Sequence, residues 1–144
     1  RSDYLSEKSW VPYGMESDAT WWLNHGEEVA GANLSMTLRD FGRFGQFILD
    51  GGRIDGQSIL PDGWIADATS ARIQTGWRNA PGYGYQWWVK EPGKVVALGI
   101  FGQTIYIEPA KNLVVVLNHS WPRADNDATY SREMPFLTAE SIPV

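Results

Sequence analysis

Near the end of the chain, two apolar β-prone stretches, Ile100–Glu108 and Leu113–His119, are separated only by Pro109-Ala110-Lys111-Asn112. So short a turn lets two strands pair only antiparallel, because a parallel pair needs a crossover of a dozen or more residues. The hairpin therefore commits this region to an antiparallel sheet. Tyr83–Lys90 reads as a further strand with aromatics on both faces.

Helices are expected on either side of the sheet. The clearest is Leu38–Leu49, where Leu38, Phe41, Phe44 or Gly45, and Ile48 follow a 3.6-residue period. Thr37 caps it, Asp40 stands three residues on as in a capping box, and Gly51-Gly52 ends it. Gly42 and Gly45 lie inside it at a cost of about 1 kcal/mol each relative to Ala, so close packing against another backbone is the expected reason for them. Ser2–Trp10 reads as the end of an amphipathic helix with Tyr4, Leu5 and Trp10 inward, stopped by Pro12 and Gly14. Pro61–Thr69 reads as a short helix with Pro in its first turn, and Ala128–Glu140 as a last helix weakened by Pro135. Ala19–Leu23 is short and β-prone, His25–Asn33 a polar loop, and Ile54-Asp55-Gly56-Gln57 a hairpin turn. The fold class is α+β, an antiparallel sheet flanked by helices.

Composition narrows function mainly by exclusion. The 144 residues contain no cysteine, which removes disulfide scaffolds, thiolate zinc sites and a cysteine nucleophile. A net charge of −5 argues against a nucleic-acid partner. The longest unbroken apolar run, Leu113–Leu117, is far short of the ~18 residues of a membrane span. That length suits one domain or a large piece of one. The chain opens at Arg1 in what reads as the interior of a helix, so the gene product is expected to begin further upstream.

Few residue groups offer chemistry by spacing. His25 and His119 are far apart, and no local spacing offers a metal site or a cofactor motif; His119 reads as a hydrogen-bonded strand-end residue. Glu27-Glu28 and Asp125 with Asp127 read as solvated loop carboxylates. Tyr83, Tyr85, Trp87 and Trp88 suit either sugar stacking or, on alternate positions, a core face, and the core reading is favoured. Glycines flank the start of a strand in Ala97-Leu-Gly-Ile-Phe-Gly-Gln103. A strand edge of that kind can leave backbone N–H groups open to a substrate oxygen, as an oxyanion hole requires, although a bulge or tight turn accounts for the glycines equally well.

Several stretches in order resemble the C-terminal part of the serine β-lactamase-like superfamily. They are Tyr4-Leu-Ser-Glu-Lys-Ser-Trp-Val-Pro-Tyr-Gly-Met15, Ser17-Asp-Ala-Thr-Trp21, Leu34-Ser-Met-Thr-Leu-Arg-Asp40, Tyr83-Gly-Tyr-Gln-Trp-Trp-Val89, Gly99-Ile-Phe-Gly-Gln103 and Ile107–Pro122. The superfamily includes class C β-lactamases, penicillin-binding proteins, carboxylesterases and 6-aminohexanoate-dimer hydrolases, and the chain is most similar to the esterase and nylon-oligomer branch. The resemblance implies the β-lactamase/transpeptidase-like fold and a serine hydrolase that cleaves esters or amides through an acyl-enzyme. In that family the nucleophile lies in a Ser-x-x-Lys motif assisted by a Tyr. No Ser here has Lys three residues on, and no Tyr has Asn two residues on. The implied assignment of residues 1–144 is thus the C-terminal portion, inactive alone, with an N-terminal half supplying the nucleophile in the same or a second chain.

Aligned to the esterase pattern, the family's basic-Thr-Gly triplet becomes Ala97-Leu98-Gly99, and Ile100 carries an oxyanion N–H. Aligned without gaps to the lactamase pattern, Lys94 takes the basic position and Ala97 the donor. The first alignment is preferred because Gly102-Gln103 then fits the nylon-hydrolase pattern. The implied site is Ile100 as the catalytic donor, with Gly99, Phe101, Asn118 and Trp87 lining the pocket. Loss of the basic residue favours a small ester or linear amide substrate over a β-lactam carboxylate. For Asn118, a strand-end hydrogen bond is an equal alternative. The competing expectation is a catalytically inactive, penicillin-binding-like module that holds peptide or glycan.

Overall fold

The computed structural model describes residues 2–29, 31–91 and 93–124. The expected helix at Ala128–Glu140, and Asp125 with Asp127, lie outside the described residues. The centre of the fold is a six-stranded antiparallel sheet of β1 (Ile73–Gln74), β2 (Gly82–Tyr83), β3 (Trp88–Glu91), β4 (Lys94–Leu98), β5 (Gln103–Glu108) and β6 (Leu113–Asn118). Each strand pairs with its neighbours in sequence.

The expected late hairpin is β5–β6, in register from Gln103 opposite Asn118 to Glu108 opposite Leu113. Its connection is a 3₁₀ turn, Pro109–Lys111, closed by Asn112 at φ 49°. Asn tolerates that left-handed conformation better than most residues. Two strand expectations are corrected. Tyr83–Lys90 is not continuous: Gly84 N–H donates to Trp87 O (2.8 Å) and Gln86 has φ 66°, so the segment folds back as the β2–β3 hairpin. Gly84 has room for no side chain there, since a Cβ would stand 2.1 Å from Ala68 O. Ile100–Gly102 is likewise not strand but the turn between β4 and β5, and Lys94–Leu98 is a strand that its flanking glycines obscure.

The period of two assigns each strand residue to a face. One face carries Val89, Val95, Ala97, Ile105, Ile107, Val114 and Val116, packed with Phe47 and Ile48 of helix α1 (Leu38–Leu49). The other carries Trp88, Val96, Leu98, Tyr106, Leu113, Val115 and Leu117, with Trp77 and Trp121. Helix α1 crosses β5 and β6 closely because Gly45 allows it: a Cβ there would meet Val114 Cγ1 at 2.5 Å. Leu38, expected inward, is half-exposed at the helix start.

The N-cap is as expected. The Asp40 amide donates to Thr37 Oγ1 (3.1 Å), and the Thr37 hydroxyl donates back to the Asp40 carboxylate (2.8 Å). At the other end, Gly52 N–H donates to Phe47 O (2.9 Å) with Gly51 and Gly52 at positive φ, closing the last turn. The Arg53–Ile54/Gln57–Ser58 hairpin follows, with Asp55 and Gly56 at positive φ as a two-residue primed turn needs. The next helix, α2 (Trp64–Ala68), starts later than expected, since Pro61 opens a turn rather than the helix.

Upstream, Ser2–Leu5 is a helical turn running into a π-helix, Ser6–Trp10; Leu5 and Trp10 are half-buried, but Tyr4 is exposed. Thr20–Trp21 pairs with Leu34–Ser35, and the loop between them carries a small hairpin, Leu23–Asn24 with Glu27–Glu28. The Trp21 indole N–H closes that loop by donating to Val29 O (2.9 Å) and Ala32 O (3.1 Å). Among the described residues, no helix is long and apolar enough to cross a membrane.

Candidate active site

Gly99–Gly102 is a tight β-turn. Gly102 N–H donates to Gly99 O (2.9 Å), and Gly99 N–H donates to Gln103 O (2.8 Å). Gly102 has φ 90°, whereas Ile100 and Phe101 do not have positive φ. That is a type I turn followed by a glycine bulge, a common three-residue hairpin loop. Gly102 is doubly required, because a Cβ would stand 2.4 Å from the Trp121 indole. Trp121 also fastens the turn by donating its backbone N–H to Phe101 O (3.1 Å).

The turn's amides separate cleanly. Those of Gly99 and Gly102 close the loop, and that of Phe101 donates to the Gln103 side-chain oxygen (3.3 Å). Ile100, at the first corner, has an N–H with no hydrogen-bond partner among the described residues. The turn's own i to i+3 bond leaves that corner amide unused. Ile100 is 56% exposed and Phe101 41%.

The turn forms one wall of an open cleft of about 620 Å³. Gly99, Ile100, Phe101 and Asn118 come together there; Asn118 sits at the exposed end of β6, opposite Gln103. The facing wall is Gly31–Met36 with Phe41. Trp87 is not with them. It is 6% exposed in the main core, stacked on Phe44 at a centroid distance of 6.5 Å. Lys94 lies at the far end of β4, with its ammonium 3.0 Å from Glu91, and Ala97 is paired within the sheet opposite Ile105.

Just after the facing wall, Asp40 ties the start of α1 to the segment at Glu16 and Ser17. Its fully buried carboxylate accepts from Glu16 N (2.7 Å), Ser17 N (3.2 Å) and the Thr37 hydroxyl, and pairs with Arg43 (3.0 Å). Burial pushes this carboxyl up, but those donors together outweigh it and hold the pKa below the usual carboxylate value.

Among the described residues, those lining the cleft are all uncharged. Ser35 and Thr104 bring hydroxyls, but among the described residues no lysine, histidine or carboxylate lines the cleft beside them to take a proton. What the turn presents to the cleft is a backbone N–H donor, that of Ile100. Two contributors had no functional reading in the sequence: the 31–36 wall, and Gln103, whose only signal was its place in the Gly102-Gln103 pair.

Residues 4–134 match the Beta-lactamase family model, and the chain belongs to that family. Within it, the chain is 32% identical over 132 residues to the 6-aminohexanoate-dimer hydrolase of Paenarthrobacter ureafaciens, an alignment covering 84% of this chain and 34% of that protein. Among solved structures it is similar to the "Putative 6-aminohexanoate-dimer hydrolase from Bacillus anthracis", with a TM-score of 0.74, 33% identity, and coverage of 97% of this chain and 39% of that one. The chain therefore spans little more than a third of the length of either relative.

Proposed function

We propose that this chain is the C-terminal portion of a serine hydrolase that cleaves a small ester or linear amide through an acyl-enzyme. The reading rests above all on the uncommitted Ile100 N–H at the mouth of an uncharged cleft. The attacking serine and its lysine belong to an N-terminal half, in the same or a second chain. As the serine oxygen adds to the substrate carbonyl carbon and its proton passes to the lysine, the carbonyl oxygen becomes an oxyanion. Ile100 N–H donates to it, where a fixed dipole stabilises the transition state more than the ground state. Collapse expels the alcohol or amine, which takes up the proton, and water then releases the acid. Gly99, Phe101 and Asn118 line the acyl site. The uncharged lining among the described residues favours neutral substrate groups, since an unpaired ion would lose its hydration there.

The test joins this chain to the portion of the Paenarthrobacter relative that it does not match, and follows p-nitrophenyl acetate hydrolysis. The joined enzyme turns over and the 144-residue chain alone does not. Ile100→Pro removes the N–H at a turn corner that favours proline, so the fold survives while kcat falls by about 10²–10³. Turnover by the chain alone refutes the placement of the nucleophile. An inert joined enzyme that binds a peptidoglycan fragment makes the protein a binding module instead.

A further inference from the structure

Gln103 is the first residue of β5, and its side-chain amide makes two directed contacts. Its oxygen accepts the Phe101 N–H at 3.3 Å, and its nitrogen donates to His119 O at 3.2 Å. These partners fix the amide's orientation, since an N–H needs the oxygen and a carbonyl needs the nitrogen. The amide thus spans the gap between the turn and the residue after β6, the strand end that carries Asn118. It also lies directly over Gly99, where a Cβ would stand 2.5 Å from the Gln103 oxygen. The glycine at 99 is therefore matched to the glutamine at 103.

We propose that Gln103 is a positioning residue for the oxyanion donor, an inference that rests on the proposed hydrolase. By engaging the Phe101 N–H and fastening the turn to the end of β6, it leaves the Ile100 N–H as the turn's single available donor and fixes its direction. A second free amide one residue away would offer the oxyanion a competing, misaligned site. A fixed donor is worth more than a mobile one because it needs no reorientation as charge develops.

The experiment uses the joined enzyme described above. Gln103→Leu keeps the size of the side chain and loses both contacts; it lowers kcat by about 10- to 100-fold with KM little changed. It weakens a phosphonate transition-state analogue by the same factor, while the thermal midpoint moves only slightly. Gly99→Ala displaces the amide and gives a similar loss, and the double variant loses no more than either single one. Gln103→Glu gives a graded readout: a protonated carboxyl can replace both contacts, whereas the carboxylate faces the His119 carbonyl. Its kcat relative to the parent therefore rises as pH falls through the carboxyl's pKa.

Unchanged kcat in Gln103→Leu overturns the proposal, as does a loss seen only in KM or only in the thermal midpoint. If the joined enzyme is inert, the hydrolase reading has failed. Amide hydrogen exchange then still tests the contact, because Phe101 is protected in the parent and loses protection in Gln103→Leu; no difference there overturns the positioning role by itself.

Discussion

Helix α1 contains two glycines three residues apart, and the structure assigns opposite signs to their replacement. At either position alanine removes the same helix-propensity penalty, about 1 kcal/mol. At Gly42 the nearest atom to an added Cβ is Val116 Cγ2 at 4.0 Å, an ordinary contact, so the gain is kept. At Gly45 the Cβ would meet Val114 Cγ1 at 2.5 Å and Ile105 Cγ2 at 3.1 Å. Both neighbours are β-branched strand residues with little rotameric freedom, so relief requires the helix to move off the sheet. Overpacking of that kind costs about 1–3 kcal/mol. The propensity term cancels in the comparison, and the two variants should differ by the overpacking cost alone. In urea unfolding followed by tryptophan fluorescence, that places their midpoints on the order of 1 M apart, with Gly42→Ala the more stable. In a Val114→Ala background the 2.5 Å contact is gone and only the tight approach to Ile105 Cγ2 remains, so the gap between Gly45→Ala and Gly42→Ala narrows. Equal stabilisation by both single variants would refute the close approach of helix to sheet.

Other consequences follow from the same geometry. Asp40→Asn replaces a carboxylate that accepts from four donors and costs about 3 kcal/mol in urea unfolding. Because the folded pKa of Asp40 lies below its unfolded value, its contribution is fully present above about pH 4 and is lost as pH falls through the folded value. The Asn variant should accordingly show a flatter acid limb than the parent, and an unchanged acid limb would argue against the depressed carboxyl. Gly102→Ala combines a φ of 90° with a collision against Trp121, so it should lower the thermal midpoint and reduce hydrolysis by the joined enzyme. Trp87→Ala empties a core site and costs about 3–5 kcal/mol. Substrate preference should not change, and a shift between acyl-chain lengths would return Trp87 to the cleft.

The parts of the fold that were legible in the sequence are those in which one local rule dominates. The β5–β6 hairpin has a connection too short for any other pairing, and helix α1 carries its period, its cap and its stop within sixteen residues, Thr37 to Gly52. The errors fall where a glycine serves the tertiary structure. Gly84 looks like a tolerated strand residue until Ala68 O is brought against it, and that approach turns one expected strand into two. Gly99 and Gly102 mark something special in the sequence, but a strand edge and a tight turn share that signature. Only the Trp121 ring and the Gln103 amide decide between them. The consequence reaches the chemistry. On a strand, the Ile100 N–H would be free only if a neighbouring strand were missing; at a turn corner it is free by geometry, whatever pairs elsewhere. The family pattern and the structure thus point to the same amide on different grounds, the one from a strand edge and the other from a turn corner. Trp87 lies in the core and not in the cleft, as alternation alone implies: it stands two residues before Val89, and both pack in the main core, Trp87 on Phe44. The facing wall at 31–36 had no local signature of function, because it is held by pairing with Thr20–Trp21, by the Trp22 N–H on Asn33 O and by the Trp21 indole on Ala32 O, contacts between separate segments that no periodicity encodes.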